Sequence, residues 1–289
     1  MSDIIRGHTR IPKLSSTLSK LAFDVVAGLP DAPQQLQKEI LEFVYHTFGN
    51  SLIVINTHSG FAKYAKEHLI SSKYPVLTDY HDAMSFRDID FPLHKYHSQL
   101  PYPKDSIHVS SGPSERDTFA HGSYVFDVSE EPDTINVLYP FRIATERNLT
   151  RTLLDLKDVV RHELMHMMQH LYHMAGVRGG FRNKRHTSEF TIPGSQNDLY
   201  TKEHALRSFE ILPNISSAVT HIEDWLQKYP QTERKQLLSK VLNGSYKYDG
   251  TARGLDPLIL SRLIYLRKNH SDIYRYVARK IYQEVRHLL

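Results

Sequence analysis

The feature that most constrains this chain is a run from about Leu149 to Ala175. In it Leu153, Leu156, Val160, Leu164, Met167, Met168 and Leu171 recur at helical spacing with no glycine or proline between them. Apolar residues three and four apart form one stripe on an α-helix, so the run predicts a long helix with a single core-facing side. Gly176 stands where a C′ residue belongs, and His173 in the last turn suits the negative end of the helix dipole.

Short β-type segments precede this helix. Ser106 to Ser110, Gly122 to Ser129 with Tyr124, Phe126 and Val128 alternating, and Thr134 to Tyr139 each read as strands. Ser51 to Asn56, apolar and β-branched, reads as a further buried strand, and Gly60 to Ile70 as a helix. Earlier still, Ser16 to Ala27 and Gln34 to Phe48 have helical spacing, the second through Leu36, Ile40, Leu41 and Val44. Tyr74 to Asp105 is rich in Pro, Tyr, His and Asp without a period and reads as a long loop able to cover a cleft. After a polar, basic loop from Val177 to Asp198, helices are expected from about Tyr200 with a break near Pro213, then over 216–228, 233–242, 257–268 and 271–289. The expected class is α+β with a small mixed sheet, followed by an all-α C-terminal part. Residues 1–50 read as an N-terminal helical segment, 51–228 as the main domain and 229–289 as a basic helical segment.

Cysteine is absent, which excludes disulfides, thiol nucleophiles, thiolate zinc fingers and iron–sulfur clusters. No stretch reaches the roughly 18 apolar residues that a membrane span needs. The most apolar N-terminal stretch, Leu21 to Leu29, is broken by Asp24 and resembles neither signal peptide nor anchor. A protein of the cytoplasm, or of a particle assembled there such as a virion, is expected, with no membrane partner.

The 18 histidines make a metal reading natural. Inside the long helix stands His162-Glu163-Leu164-Met165-His166, an HExxH pentapeptide. Histidines four apart lie one turn above each other on the same face, so both imidazoles can converge on one tetrahedral zinc. Glu163 lies beside them, where a carboxylate can take a proton from zinc-activated water and hand it to a leaving group. With 18 His and 14 Glu in 289 residues, a random sequence contains about 0.05 such motifs. A purely structural metal would need no glutamate next to its first histidine.

The HExxH helix, preceded by strand, helix and strands, resembles that of the zincin metallopeptidases over roughly residues 51–228. The resemblance implies a zincin-like catalytic domain, a Zn2+ cofactor, a peptide or protein substrate, His162 and His166 as metal ligands and Glu163 as general base. It also implies that the last strand before the helix, Thr134 to Tyr139, is an edge strand that pairs with extended substrate. The longer metzincin pattern would need Gly and His where Gln169 and Tyr172 stand, and no thermolysin-like NExxSD segment follows. A glutamate from a second helix, the gluzincin arrangement, leaves Glu203 and Glu210 as third-ligand candidates. Glu210, set in Phe209-Glu210-Ile211-Leu212, is preferred, because Glu203 lies in a stretch from Lys202 to Arg207 with the polarity of an exposed turn. Tyr200, His204 or Arg207 could act on a developing oxyanion. On sequence, His170 and His173 belong to a polar edge or to the helix end.

A competing reading uses no catalysis. Residues 251–289 hold eight Lys/Arg against three Asp/Glu, and Arg275, Arg279, Lys280 and Arg286 with Tyr276 and Tyr282 surround the apolar stripe Ile273, Val277, Ile281, Val285 and Leu288. Basic residues interleaved with aromatics can contact nucleic acid or another acidic partner.

Overall fold

The structure is a computed structural model that describes residues 31–55, 59–96, 102, 104–114, 119–126, 131–140, 142–174, 211–247 and 254–289. These fall into two compact units, one holding the described residues up to 174, the long helix included, and the other those from 211 onward. The class is mixed α+β with a four-stranded sheet. Among the described residues no helix is long and apolar enough to cross a membrane.

The first unit opens with helix α1, Asp31–Ile55, followed by α2, Ser59–His68, and the short α3, Tyr80–Met84. The segment 51–55, expected as a strand, is the last turn and a half of α1. A short apolar run has no period of its own, and here it continues the stripe Leu36, Ile40, Val44, Phe48 and Leu52, all buried. The interleaved polar residues are buried and bonded. Thr47 Oγ1 lies 2.9 Å from Ser111 Oγ, and Ser51 Oγ lies 3.0 Å from the Tyr139 hydroxyl and donates to the Ala83 carbonyl at 2.8 Å. Burial pushes the Tyr139 phenol up to about 12 against the opposing pull of its Ser51 and Thr47 hydrogen bonds. A hydroxyl seam thus holds α1 to the sheet.

The sheet contains β1 Arg87–Pro92, β2 Ser106–Ser114, β3 His121–Val125 and β4 Asp133–Pro140, in the order β1-β2-β4-β3. Only the central β2–β4 pairing is parallel. β1 lies in what the sequence suggested was loop; its Asp88 and Asp90 are strand-poor residues, but both reach outward to His108 of β2, at 3.8 and 2.8 Å. β4 is interior. The edge strand next to the long helix is β3, which corrects the expectation that Thr134 to Tyr139 forms an edge, since alternation tells which residues face inward but not which strand lies beside which.

Register divides the sheet into two faces. Phe91, Ile107, Val109, Ile135, Val137 and Tyr139 are buried on one, while His108, Thr134 and Asn136 alternate with them on the other. The helical layer covers the apolar face: α1 packs on β2, while helix α4, Glu146–Met174, packs on β3 and β4 and against α1. Leu156, Val160, Leu164, Met167 and Met168 of the predicted stripe are buried, while its first member, Leu153, is half-buried and Leu149 is buried one turn before it.

The second unit contains α5 Ile211–Gln227, α6 Gln231–Leu242, α7 Pro257–Asn269 and α8 Ser271–Val285. Pro213 lies in the first turn of α5, a position where its missing N–H costs no helical hydrogen bond. One core joins Val219, Ile222 and Leu226 of α5 to Leu238, Leu263, Ile273, Val277 and Ile281, with Trp225 edge-on to Tyr229 and Tyr246.

Candidate functional site

The pentapeptide sits beyond the middle of α4. His162 and His166 are half-buried, while Glu163 between them is buried at 5% exposure. Their Nε2 atoms stand 3.2 Å apart, with ring centroids 4.9 Å apart and planes inclined by 71°. Two nitrogens bound to a tetrahedral zinc at ~2.0–2.1 Å lie about 3.3 Å from each other. The pair therefore has the spacing of one edge of a zinc coordination sphere, and neutral imidazoles are the ligand type that zinc takes.

Glu163 faces the edge strand. A methyl group built on Gly122 of β3 would come 3.2 Å from Glu163 Cγ, 2.6 Å from Val159 Cγ1 and 2.8 Å from the carbonyl oxygen of Asn136 in β4. Only glycine lets α4 approach β3 this closely, and that approach places the Glu163 side chain, at its Cγ, against the strand. Sequence reasoning missed Gly122 as a site residue, although a glycine within an alternating strand signals close backbone approach. Gly122→Ala is expected to destabilise the protein by about 1–3 kcal/mol, an overpacking cost larger than the ~0.4–1 kcal/mol that a less flexible unfolded chain returns. Urea unfolding monitored by circular dichroism checks it; an unchanged or higher midpoint would contradict the packing argument.

Other histidines have different surroundings. In His46, Nδ1 accepts the Ser71 N–H at 3.1 Å, so Nε2 carries the hydrogen and donates to the Pro75 carbonyl at 2.9 Å. That ring ties α1 to the loop after α2. His108 bridges two exposed aspartates of β1. His170, expected at a polar edge, lies within a network with Tyr124 and Asp133.

Among the described residues no group of three or more His, Asp or Glu is placed to hold a metal ion. The described part of the site is the histidine pair with Glu163. Glu203 and Glu210, with Tyr200, His204, Arg207 and His173, were singled out on sequence; the first five lie outside the described residues, as does the side chain of His173. Comparison with protein-family models, with curated proteins and with solved structures finds no match to this chain.

Proposed function

We propose that this chain is a zinc-dependent peptidase in which His162 and His166 hold the metal and Glu163 is the general base. The observation that carries the reading is the 3.2 Å separation of the two Nε2 atoms beside a buried glutamate. Zinc would supply Lewis acidity there, polarising a carbonyl and lowering the pKa of water to about 7. Glu163 takes the proton from the attacking water and delivers it to the amine that leaves when the peptide C–N bond breaks. Its burial beside Gly122 restricts its rotamers and keeps bulk water from competing for the carboxylate. In this reading β3, at the edge of the described sheet, aligns extended substrate next to Glu163 through main-chain hydrogen bonds. Val125 at the end of β3 and Phe119 two residues before its start, both 53% exposed, offer apolar contacts to such a segment.

Glu210 is proposed as third ligand on the sequence argument alone. The test of the whole reading is the zinc content of the untagged full chain prepared without chelator. About one equivalent per chain is expected, and a content well below one would overturn the proposal.

A second reading rests on α8. Arg275, Arg279, Tyr282 and Arg286 are all exposed at spacings of four, three and four, so they make one basic-aromatic stripe opposite the buried Ile273, Val277 and Ile281. A non-enzymatic role in contacting nucleic acid would use this stripe. It requires measurable binding to single- or double-stranded nucleic acid at low salt that weakens steeply with ionic strength; no binding at low salt removes it.

A further inference from the structure

Three arginines and a tyrosine share the outer side of α8. At about 100° per residue, Arg275, Arg279 and Tyr282 fall within about 60° of one another, on the side away from the buried Ile273 and Val277. Arg286 has helical dihedrals at the C-cap and continues the row by one more turn. At a rise of about 1.5 Å per residue the row from Arg275 to Arg286 is about 16 Å long.

The fold itself does not use these side chains. Among the described residues Arg275, Arg279 and Arg286 have no carboxylate partner. Other basic residues of the second unit are engaged. Lys228 pairs with Asp224 at 2.6 Å, Arg234 donates to the carbonyl oxygens of Tyr229 and Leu288, and Arg262 donates to Asn214 Oδ1 at 2.9 Å. Lys280 and Tyr276, which the sequence groups with the row, occupy each other, with the ammonium 5.6 Å from the ring centre. That leaves Tyr282 as the aromatic residue of the row, 45% exposed between Arg279 and Arg286. Like charges four apart on a helix repel, as those of Arg275 and Arg279 do, and a polyanion laid along the row relieves that repulsion.

The chemistry of the row narrows the partner. Guanidinium groups take phosphate oxygens in a bidentate fork. Tyr282 then decides between duplex and single strand. In a duplex each base is covered on both faces by its neighbours, so an exposed phenol ring has nothing to stack on. In a single strand every base offers a face to an aromatic side chain. A chain of carboxylates would pair with the arginines and leave Tyr282 without a role.

We propose that the outer side of α8 binds single-stranded nucleic acid, with Arg275, Arg279 and Arg286 on backbone phosphates and Tyr282 stacked on a base. The nucleic-acid partner rests on the second reading above, and the single-strand assignment rests on Tyr282. Such binding is compatible with catalysis, since α8 belongs to the second unit and His162, Glu163 and His166 to the first.

Fluorescence anisotropy of the full chain, with labelled oligo-dT of about 15 nucleotides and a duplex of equal length, tests it. At low salt oligo-dT is expected to bind more tightly than the duplex. Its affinity should fall roughly 20-fold between about 50 and 200 mM salt, as release of counterions from three phosphates requires. Tyr282→Ala is expected to weaken oligo-dT binding about 5- to 150-fold and Tyr282→Phe to preserve it, because stacking needs the ring and not the hydroxyl. Arg279→Gln should lower the slope of log Kd against log salt by about 0.7. Both side chains are exposed, so these variants should keep the fold, which circular dichroism verifies. A duplex bound as tightly as oligo-dT, or a folded Tyr282→Ala protein with unchanged affinity, would overturn the single-strand assignment and leave the nucleic-acid reading standing. Displacement of oligo-dT by polyglutamate of equal charge would make the row a site for acidic chains in general and overturn the proposal. Absence of binding to either nucleic acid at low salt would remove the proposal and the second reading together.

Discussion

Glu163→Gln is expected to leave zinc content and fold as they are and to lower peptide hydrolysis by about 10²- to 10⁴-fold, the range that a positioned general base contributes. Glutamine has the length and shape of glutamate, so it fits the space that Gly122 opens between α4 and β3 without the steric cost of a larger residue. It removes the basicity and leaves the volume. Stability should not fall, because a neutral amide at a site only 5% exposed carries a smaller desolvation cost than a carboxylate does. If Glu163 acts only in the transition state, kcat and kcat/KM should drop together while KM stays put. Metal analysis, circular dichroism and steady-state hydrolysis on one preparation check all three parts. Zinc lost along with activity would make Glu163 a ligand or a structural residue, and wild-type hydrolysis would remove it from the chemistry.

The parts of this fold that the sequence made legible are those governed by a local period. α4 was readable because one residue in every turn of its inner face is apolar, and β2, β3 and β4 because alternation matches a sheet covered on one side. Segment 51–55 was misread because Leu52, Ile53, Val54 and Ile55 suit a strand as well as a helix. Their helical state follows from the ties that α1 makes through Thr47 and Ser51 to Ser111 and Tyr139, 64 and 88 residues away. β1 was hidden for the opposite reason: its aspartates look like loop residues until His108 is placed across from them. In the site, the helical period alone placed His162 above His166. Nothing local could bring Gly122 to Glu163 or Asp133 to His170, because each pair meets only after β3 has folded back along β4 beneath α4.

Removal of either histidine should weaken zinc binding by more than the 10- to 100-fold typical of losing an outer-shell partner, since each takes away a coordinate bond rather than a hydrogen bond that orients one. His162→Ala and His166→Ala should behave alike, because their Nε2 atoms form a symmetrical pair 3.2 Å apart. A large effect at one with none at the other would mean that the pair is a histidine–histidine hydrogen bond and not a metal edge. The same measurement discriminates the third ligand. Glu210 is followed in the chain by Pro213, Ile215 and Val219, which are buried in the core of the second unit, whereas Glu203 stands among Lys202, His204 and Arg207. A carboxylate in an apolar segment costs several kcal/mol unless a cation or hydrogen bonds compensate it, and zinc would do so. A carboxylate in a stretch as polar as Lys202 to Arg207 has no such need of a metal. Glu210→Ala is therefore expected to match the histidine variants in lost zinc affinity, measured by competition with a chelator of known strength, and Glu203→Ala to fall within about tenfold of the parent protein. The seven-residue spacing puts both on one face wherever the helix is continuous, so a moderate loss in Glu203→Ala is compatible with an outer-shell role. A severe loss there, with zinc retained in Glu210→Ala, would assign the ligand to Glu203.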